Sequence, residues 1–326
     1  MLFQTLSTVV VAITSDTPLP TVIQWLTSYA RIADLTSELA RDTAITSPFV
    51  AAHGGVADVY RVTRSDRKQL AIKCLRRYDP KHVKVRIFPG SHFWPGRLFV
   101  TVMQRTAREL RIWSNLKHKN VLELYGLGVF QGYLAIVSPW MVYGSVVSVV
   151  KKWPDMNRYI LCRQLIAAIE YLHHVDVIHG DIKGENVLVA EDGILKLADF
   201  GLSVMHDNTF QFSQTDPGGG TSRWMAPELW TEYGQRSSEA DVYAMGMTMF
   251  EIITGKPPFY EIESTHQIVI KVLQERCTPQ VPELQSETAP PEARLMYNIL
   301  QWCWKYEPRE RPTAQEVVAL TNELTD

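Results

Sequence analysis

The spacing of apolar residues along this chain changes period more than once. From Thr21 to Arg41, Val22, Leu26, Tyr29 and Ala33, with Trp25 and Ile32 alongside, recur at helical spacing and predict one or two amphipathic helices. Beyond Pro48 the pattern shortens to the β-like runs Val56 to Val62 and Gln69 to Leu75, which the polar turn Thr63 to Lys68 joins into paired strands. The stretch Tyr78 to Arg97, with Pro80, Pro89, Gly90, Pro95 and Gly96 among basic residues, reads as a long loop with a solvated charged face. Helical spacing returns at Arg105 to Leu116 and then dominates. In Arg158 to His173 it places Leu161, Leu165, Ala168, Ile169 and Leu172 on one face. Ala240 to Thr254 is apolar nearly all round, as suits a helix at the centre of a lobe. Ser238, three before Asp241, opens it as a loose capping box, and Gly255 closes it ahead of Pro257 and Pro258. A last helix starts at Thr313, with Glu316 completing a capping box.

Length and composition narrow the reading. A chain of 326 residues exceeds one small domain and predicts a two-lobed fold or two modest domains. With 46% hydrophobic and 21% charged residues it has ordinary globular composition, and a net charge of -2 predicts no bulk affinity for nucleic acid or anionic lipid. Cys74, Cys162, Cys277 and Cys303 lack the close pairing of zinc sites or small disulfide frameworks, which points to reduced thiols in the cytoplasm, with the nucleus as the other compartment. The apolar run Val9 to Ile13 is too short to span a bilayer, and no Lys or Arg precedes it as a signal peptide requires. The expectation is a soluble protein with no membrane partner.

Two segments carry chemistry. Phosphoryl transfer needs a cradle for phosphates, ligands for divalent metal, and a carboxylate to orient the attacking hydroxyl. His179-Gly180-Asp181-Ile182-Lys183-Gly184-Glu185-Asn186 lies between a helical pattern and the strand-like Val187 to Val189, so an Asp, a Lys two residues on and an Asn five residues on can converge on one phosphate and its metal. Asp199-Phe200-Gly201 follows the strand-like Ile194 to Ala198 and adds a hard oxygen ligand suited to Mg²⁺. An acidic residue before glycine is common in turns, so this tripeptide carries little weight alone; paired with the first segment it carries much more.

With these motifs in place, roughly residues 50 to 325 resemble the eukaryotic protein kinase family, serine/threonine type, and within it the tyrosine-kinase-like group. The resemblance implies an α+β bilobal fold, with a small mostly-β N-lobe carrying one key helix and a larger mostly-α C-lobe. The domain would cover residues 48–325, N-lobe to about 140 and C-lobe from about 141, behind an extension at residues 1–47. It implies ATP and Mg²⁺ as cofactors and proteins as substrates. In Ala71-Ile72-Lys73, Lys73 would hold the α- and β-phosphates, with Glu109 its helical partner. Asp181 would be the catalytic base, Lys183 would touch the γ-phosphate, and Asn186 with Asp199 would hold metal. Adenine would rest among Val59, Ala71 and Leu188, with Trp140 and Met141 in the hinge and Ser138 as gatekeeper. Ala226-Pro227-Glu228 resembles the end of the activation segment, Arg311 the arginine paired with that glutamate, and Asp241 the acidic anchor of the catalytic loop.

Several positions depart from the family pattern. The phosphate-covering stretch Ala52-His53-Gly54-Gly55-Val56-Ala57-Asp58-Val59 keeps Gly54 of three expected glycines, with Gly55 beside it, which predicts weakened rather than abolished ATP binding. The long separation of Lys73 from Glu109 means either an inserted loop or a different glutamate. Gly180 stands where the family usually has an arginine that pairs with a phosphorylated activation segment, so activity is expected not to require phosphate on Thr209, Ser213 or Thr215. The run Gly218-Gly219-Gly220 predicts a mobile segment. His179 reads as a histidine bracing its loop, and His173 and His174 as surface or packing residues. A nucleotide-binding scaffold without activity is the competing reading of the same fold, and tyrosine specificity a lesser one. Residues 1–47 are either an accessory helical segment or a docking site for a regulatory partner.

Overall fold

The computed structural model describes residues 17–45, 51–53, 57–75, 95–205, 221–231, 234–281, 284 and 290–322. Two compact units emerge. One holds the described residues up to Leu116 together with Glu123–Trp140; the other holds Lys117–Leu122 and the described residues from Met141 onward.

The first unit is a sheet flanked by helices. Helix α1 (Leu19–Ala30) has Pro20 in its first turn, where a missing N–H costs nothing, and buries Val22, Ile23, Leu26 and Ala30. Strand β1 (Ala33–Asp34), helix α2 (Thr36–Asp42) and strand β2 (Thr43–Ile45) follow. Next come β3 (Ala52–His53), β4 (Ala57–Arg64), β5 (Gln69–Leu75), helix α3 (Pro95–Trp113), β6 (Gly126–Phe130) and β7 (Tyr133–Pro139). The seven strands run β1-β6-β7-β5-β4-β2, with β3 also paired to β4. Only the β1–β6 pairing is parallel.

Alternation sorts the side chains of this sheet. Val62, Leu70, Ile72, Cys74, Ala135 and Val137 form a core cluster with Leu39 of α2. The opposite face carries Ala71 and Lys73, with Val59 in register beside Lys73 and Ser138 in register beside Ala71.

The segment from Thr17 to Ile45 therefore joins this unit through strands as well as helices. Its strands are two and three residues long, too short for a two-residue period to register in sequence. Glycines in β6 let it approach: a Cβ on Gly126 would stand 2.5 Å from the Ala33 carbonyl oxygen, and one on Gly128 would stand 3.0 Å from the Thr36 nitrogen. Val129 N–H donates to Thr36 Oγ1 at 3.1 Å, and Leu35 N–H donates to the Leu127 carbonyl at 2.8 Å. Ser114, just past α3, donates to the Ala30 carbonyl at the end of α1 at 2.9 Å. Helix α3 also starts earlier than expected. Pro95 and Gly96, taken as loop, fall in its first turn, a position where proline is well tolerated.

The second unit is mostly helical. It runs through α4 (Val146–Lys152), α5 (Arg158–His174), β8 (Val177–Ile178), β9 (Val187–Val189), β10 (Leu195–Leu197), β11 (Val204–Met205), α6 (Ser238–Thr254), α7 (Thr265–Leu273), α8 (Pro291–Cys303) and α9 (Ala314–Asn322). Asn157 caps α5, its side chain accepting from the Tyr159 and Ile160 amides. The cap of α6 is Ser237, one residue before the expected Ser238, and accepts from Ala240 N–H at 3.1 Å; Gly255 ends the helix in a left-handed turn at φ 70°. Thr313 and Glu316 form the reciprocal box expected at α9, with bonds of 2.7 and 3.2 Å. Helix α6 is buried on almost every side and packs against α5 and α8.

Candidate active site

The chemistry-bearing residues fall into one cluster in each unit. In the second unit, β8 leads into the loop from His179 to Lys183, and a short 3-10 turn, Gly184–Asn186, leads out into β9. The hairpin of β9 with β10 then delivers Asp199. Ala198 N–H donates to the Asn186 carbonyl at 2.9 Å, tying the two loops together. Asp199 sits at φ 66°, a left-handed conformation that aspartate tolerates better than most residues, and Phe200 behind it is fully buried.

Around Asp181 the polar contacts are dense. Lys183 Nζ lies 3.0 Å from Asp181 Oδ2 and 3.3 Å from Oδ1. The Asn186 side-chain nitrogen donates to the Asp181 main-chain carbonyl at 2.8 Å and to Oδ2 at 2.9 Å. With its nitrogen committed to Asp181, Asn186 has its carbonyl oxygen left for a cation. His179 is fully buried; its Nδ1 accepts from Asp181 N–H at 3.2 Å and its Nε2 donates to the Ala198 carbonyl at 3.1 Å, an arrangement that needs one tautomer of a neutral ring. The ring has no nitrogen to spare for proton transfer, in keeping with a bracing role.

The loop is anchored to α6 from below. Asp241, 2% exposed, accepts from His179 N–H at 2.7 Å and from Gly180 N–H at 2.8 Å, and His173 Nε2 lies 3.2 Å from the same carboxylate. His173 thus has a partner that periodicity alone did not suggest. At the other end of the same helix, Glu251 accepts from Gly184 N–H at 3.0 Å. Burial raises the Glu251 carboxyl to about 7; the Gly184 amide and Lys151 oppose the rise, and Glu185 adds to it. The Trp224 indole nitrogen faces the same carboxyl without reaching hydrogen-bond geometry. Sequence reading passed over Glu251, although a carboxylate inside an all-apolar helix is itself a signal, because burying it demands a partner.

Gly180 has φ 75°, and the Arg236 side chain lies where its Cβ would point, with Nε at 2.8 Å. An arginine side chain therefore does stand beside this position, supplied from outside the loop. Beside Asp181 opens a pocket whose wall includes Trp224, Met225, Leu229 and Arg236, so residues on both sides of the Ala-Pro-Glu segment line the same pocket as Asp181. That segment is pinned by Arg311: two parallel bonds of 2.7 Å reach Glu228, and further bonds reach the Lys305, Tyr306 and Glu239 carbonyls. Leu188 is bridged to Ser145, and Met141 is buried with its carbonyl accepting from Gly144 N–H.

In the first unit, Lys73 on β5 lies 3.8 Å from Glu109 on α3, so the chosen glutamate is at ion-pair distance despite the long intervening sequence. Val59, Ala71 and Lys73 share the sheet face opposite the core cluster. Ala52 and His53 pair with Val59 and Asp58, bracketing the phosphate-covering stretch. Gly54, Gly55 and Val56 lie outside the described residues, as do Thr209, Ser213, Thr215 and the Gly218–Gly220 run.

A family model for the protein kinase domain matches residues 52–321. The chain belongs to the protein kinase family. A probable serine/threonine-protein kinase of Dictyostelium discoideum is 31% identical over 221 residues, covering 66% of this chain and 42% of its own length. The serine/threonine-protein kinase STY46 of Arabidopsis thaliana is 28% identical over 277 residues, covering 84% of this chain and 43% of its own. Mitogen-activated protein kinase kinase kinase 3 of the same plant is 28% identical over 219 residues, 66% of this chain and 34% of its own. The chain thus spans less than half the length of these curated relatives. No helix among the described residues is long and apolar enough to cross a membrane.

Proposed function

We propose that this chain is an ATP-dependent protein serine/threonine kinase that moves the γ-phosphoryl group of ATP to serine or threonine hydroxyls of other proteins. The observation that carries this reading is the Asp181 carboxylate, held at about 3 Å by both Lys183 and Asn186 in a loop tied to Asp199. Asp181 accepts a hydrogen bond from the substrate hydroxyl and turns its oxygen toward the phosphorus; the proton passes to this carboxylate as the new P–O bond forms and the bond to ADP breaks. Lys183 keeps the carboxylate in place and offsets negative charge on the phosphoryl oxygens. In the first unit Lys73, backed by Glu109, holds the α- and β-phosphates, and Val59 and Ala71 offer apolar surface to adenine; in the second, Met141 and Leu188 are the apolar residues offered to it.

Asn186 and Asp199 supply one amide oxygen and one carboxylate oxygen, a hard donor set that suits Mg²⁺, an ion that keeps several waters and takes its remaining ligands from phosphates. When bound, the metal neutralises charge on the phosphates. Among the described residues no cluster of three or more His, Cys, Asp or Glu forms an all-protein cage, which agrees with a metal that arrives with its nucleotide. Four unpaired cysteines support a reducing compartment, the cytoplasm or nucleus. A regulatory partner at the N-terminal segment would meet the outer side of α1, where Trp25 and Tyr29 stack at 5.5 Å, since the inner side is buried.

The test is incubation of wild type and Asp181→Ala with labelled ATP, Mg²⁺ and a generic protein substrate, followed by identification of the phosphorylated residue types. Phosphoserine or phosphothreonine made by wild type, with the variant at least about 1000-fold slower, is the expected result. No transfer by wild type at high ATP, with Mg²⁺ or Mn²⁺, would overturn it in favour of a scaffold.

A further inference from the structure

Helix α6 touches the catalytic loop at two places. Asp241, in its first turn, takes the His179 and Gly180 amides; Glu251, in its last, takes the Gly184 amide. The two acids are ten residues apart, roughly 15 Å along a helix. The helix thus offers one post to each end of the loop from Gly180 to Gly184. Glu251 is 4% exposed and lies where no solvent competes for its hydrogen bond.

Gly184 is what admits this carboxylate. A Cβ at position 184 would collide with Glu251 Oε2, and would stand 2.7 Å from Val147 Cγ2 and 2.8 Å from Glu251 Cδ. The residue is fitted to the acid sterically as well as through its N–H. It also begins the short turn that ends at Asn186, directly after Lys183, so its position sets the direction of both side chains that hold Asp181.

We propose that Glu251 is a positioning residue for phosphoryl transfer, acting through the Gly184 N–H to hold Lys183 and Asn186 in register with Asp181. It touches neither nucleotide nor hydroxyl. The inference rests on the kinase reading for its catalytic consequence and stands on the hydrogen bond alone for its structural part.

Three variants test it. Glu251→Met removes the acceptor at similar volume, Glu251→Gln keeps a carbonyl oxygen for Gly184, and Glu251→Asp keeps the acid but withdraws it from Gly184 by one methylene. With activity assayed well below the unfolding temperature, Glu251→Met should lower kcat by about tenfold or more with KM for ATP changed less than about threefold, and Glu251→Gln should stay within about threefold of wild type. Glu251→Asp should fall with Glu251→Met rather than with Glu251→Gln, because the bond to the Gly184 N–H depends on reach and not on charge. Amide exchange over residues 179–186 should quicken by about tenfold in Glu251→Met and Glu251→Asp but not in Glu251→Gln.

Wild-type kcat and exchange in Glu251→Met, or failure of glutamine to restore them, would each overturn the proposal. Should the methionine variant not fold, Glu251→Asp read in the same two assays decides. Should wild type transfer no phosphate, the kinase reading fails, and the exchange comparison still decides whether Glu251 holds the loop.

Discussion

The two units hold their chemistry by different means. In the second, the catalytic loop is fixed through its backbone: buried carboxylates of α6 accept the amides of His179, Gly180 and Gly184 at 2.7 to 3.0 Å. In the first, Lys73 and Glu109 meet at 3.8 Å, beyond hydrogen-bond distance, with side chains 28% and 12% exposed. The loop is thus part of the core, and disturbing its anchors costs stability. The ion pair stands where β5 and α3 carry it, so disturbing it costs chemistry and little else.

In unfolding free energy, the largest effect expected is that of Asp241→Ala. It strands the buried His179 and Gly180 amides and the His173 ring, and should lower stability by about 3–5 kcal/mol in urea titrations followed by fluorescence. A loss under about 1 kcal/mol would break the contrast between the units.

A smaller effect is expected from Glu251 as pH changes. Its carboxyl is raised from 4.5 in a free chain to about 7 by burial, so between those values the folded state binds more protons than the unfolded one. Stability from this group is full below about 4.5 and is lost as pH climbs through about 7, by up to about 3 kcal/mol for a shift of that size. Glu185 steepens the loss, while Lys151 and the Gly184 amide moderate it. Glu239 and Glu316 are shifted downward, so their contributions change below this window. Urea midpoints taken across the window should slope downward in wild type and be flatter in Glu251→Gln.

What could be read in the sequence followed the same division. Asp181, Lys183 and Asn186 stand within six residues, and Glu316 stands three from Thr313, so local spacing carries them. Helix α6 announced itself because burial on all sides leaves an apolar pattern on all sides. The Gly184–Glu251 bond joins residues 67 apart, and no period links them. The attachment of the N-terminal segment was hidden for a related reason. Strands β1 and β2 are too short to alternate visibly, and what admits β1 is a pair of glycines in β6, far along the chain. Pro95 misled because proline marks a loop in most contexts and a helix start in this one.

The smallest stability effect expected belongs to Lys73→Met, and it sharpens the comparison most. A partly buried pair at 3.8 Å, beyond hydrogen-bond distance, gains little net energy, because desolvation and side-chain ordering offset the attraction; its removal should change unfolding free energy by less than about 1 kcal/mol. Methionine keeps most of the length and the apolar stem on the sheet face shared with Val59 and Ala71. Phosphate transfer should nevertheless fall by about 100-fold or more, since a fixed positive charge aimed at phosphate acts only when phosphate is present. Calorimetry and initial rates on one preparation separate the two. A variant that keeps its transition temperature while losing transfer would place Lys73 in chemistry alone. A variant that loses both in step would mean that the pair, like the anchors of α6, holds its unit together.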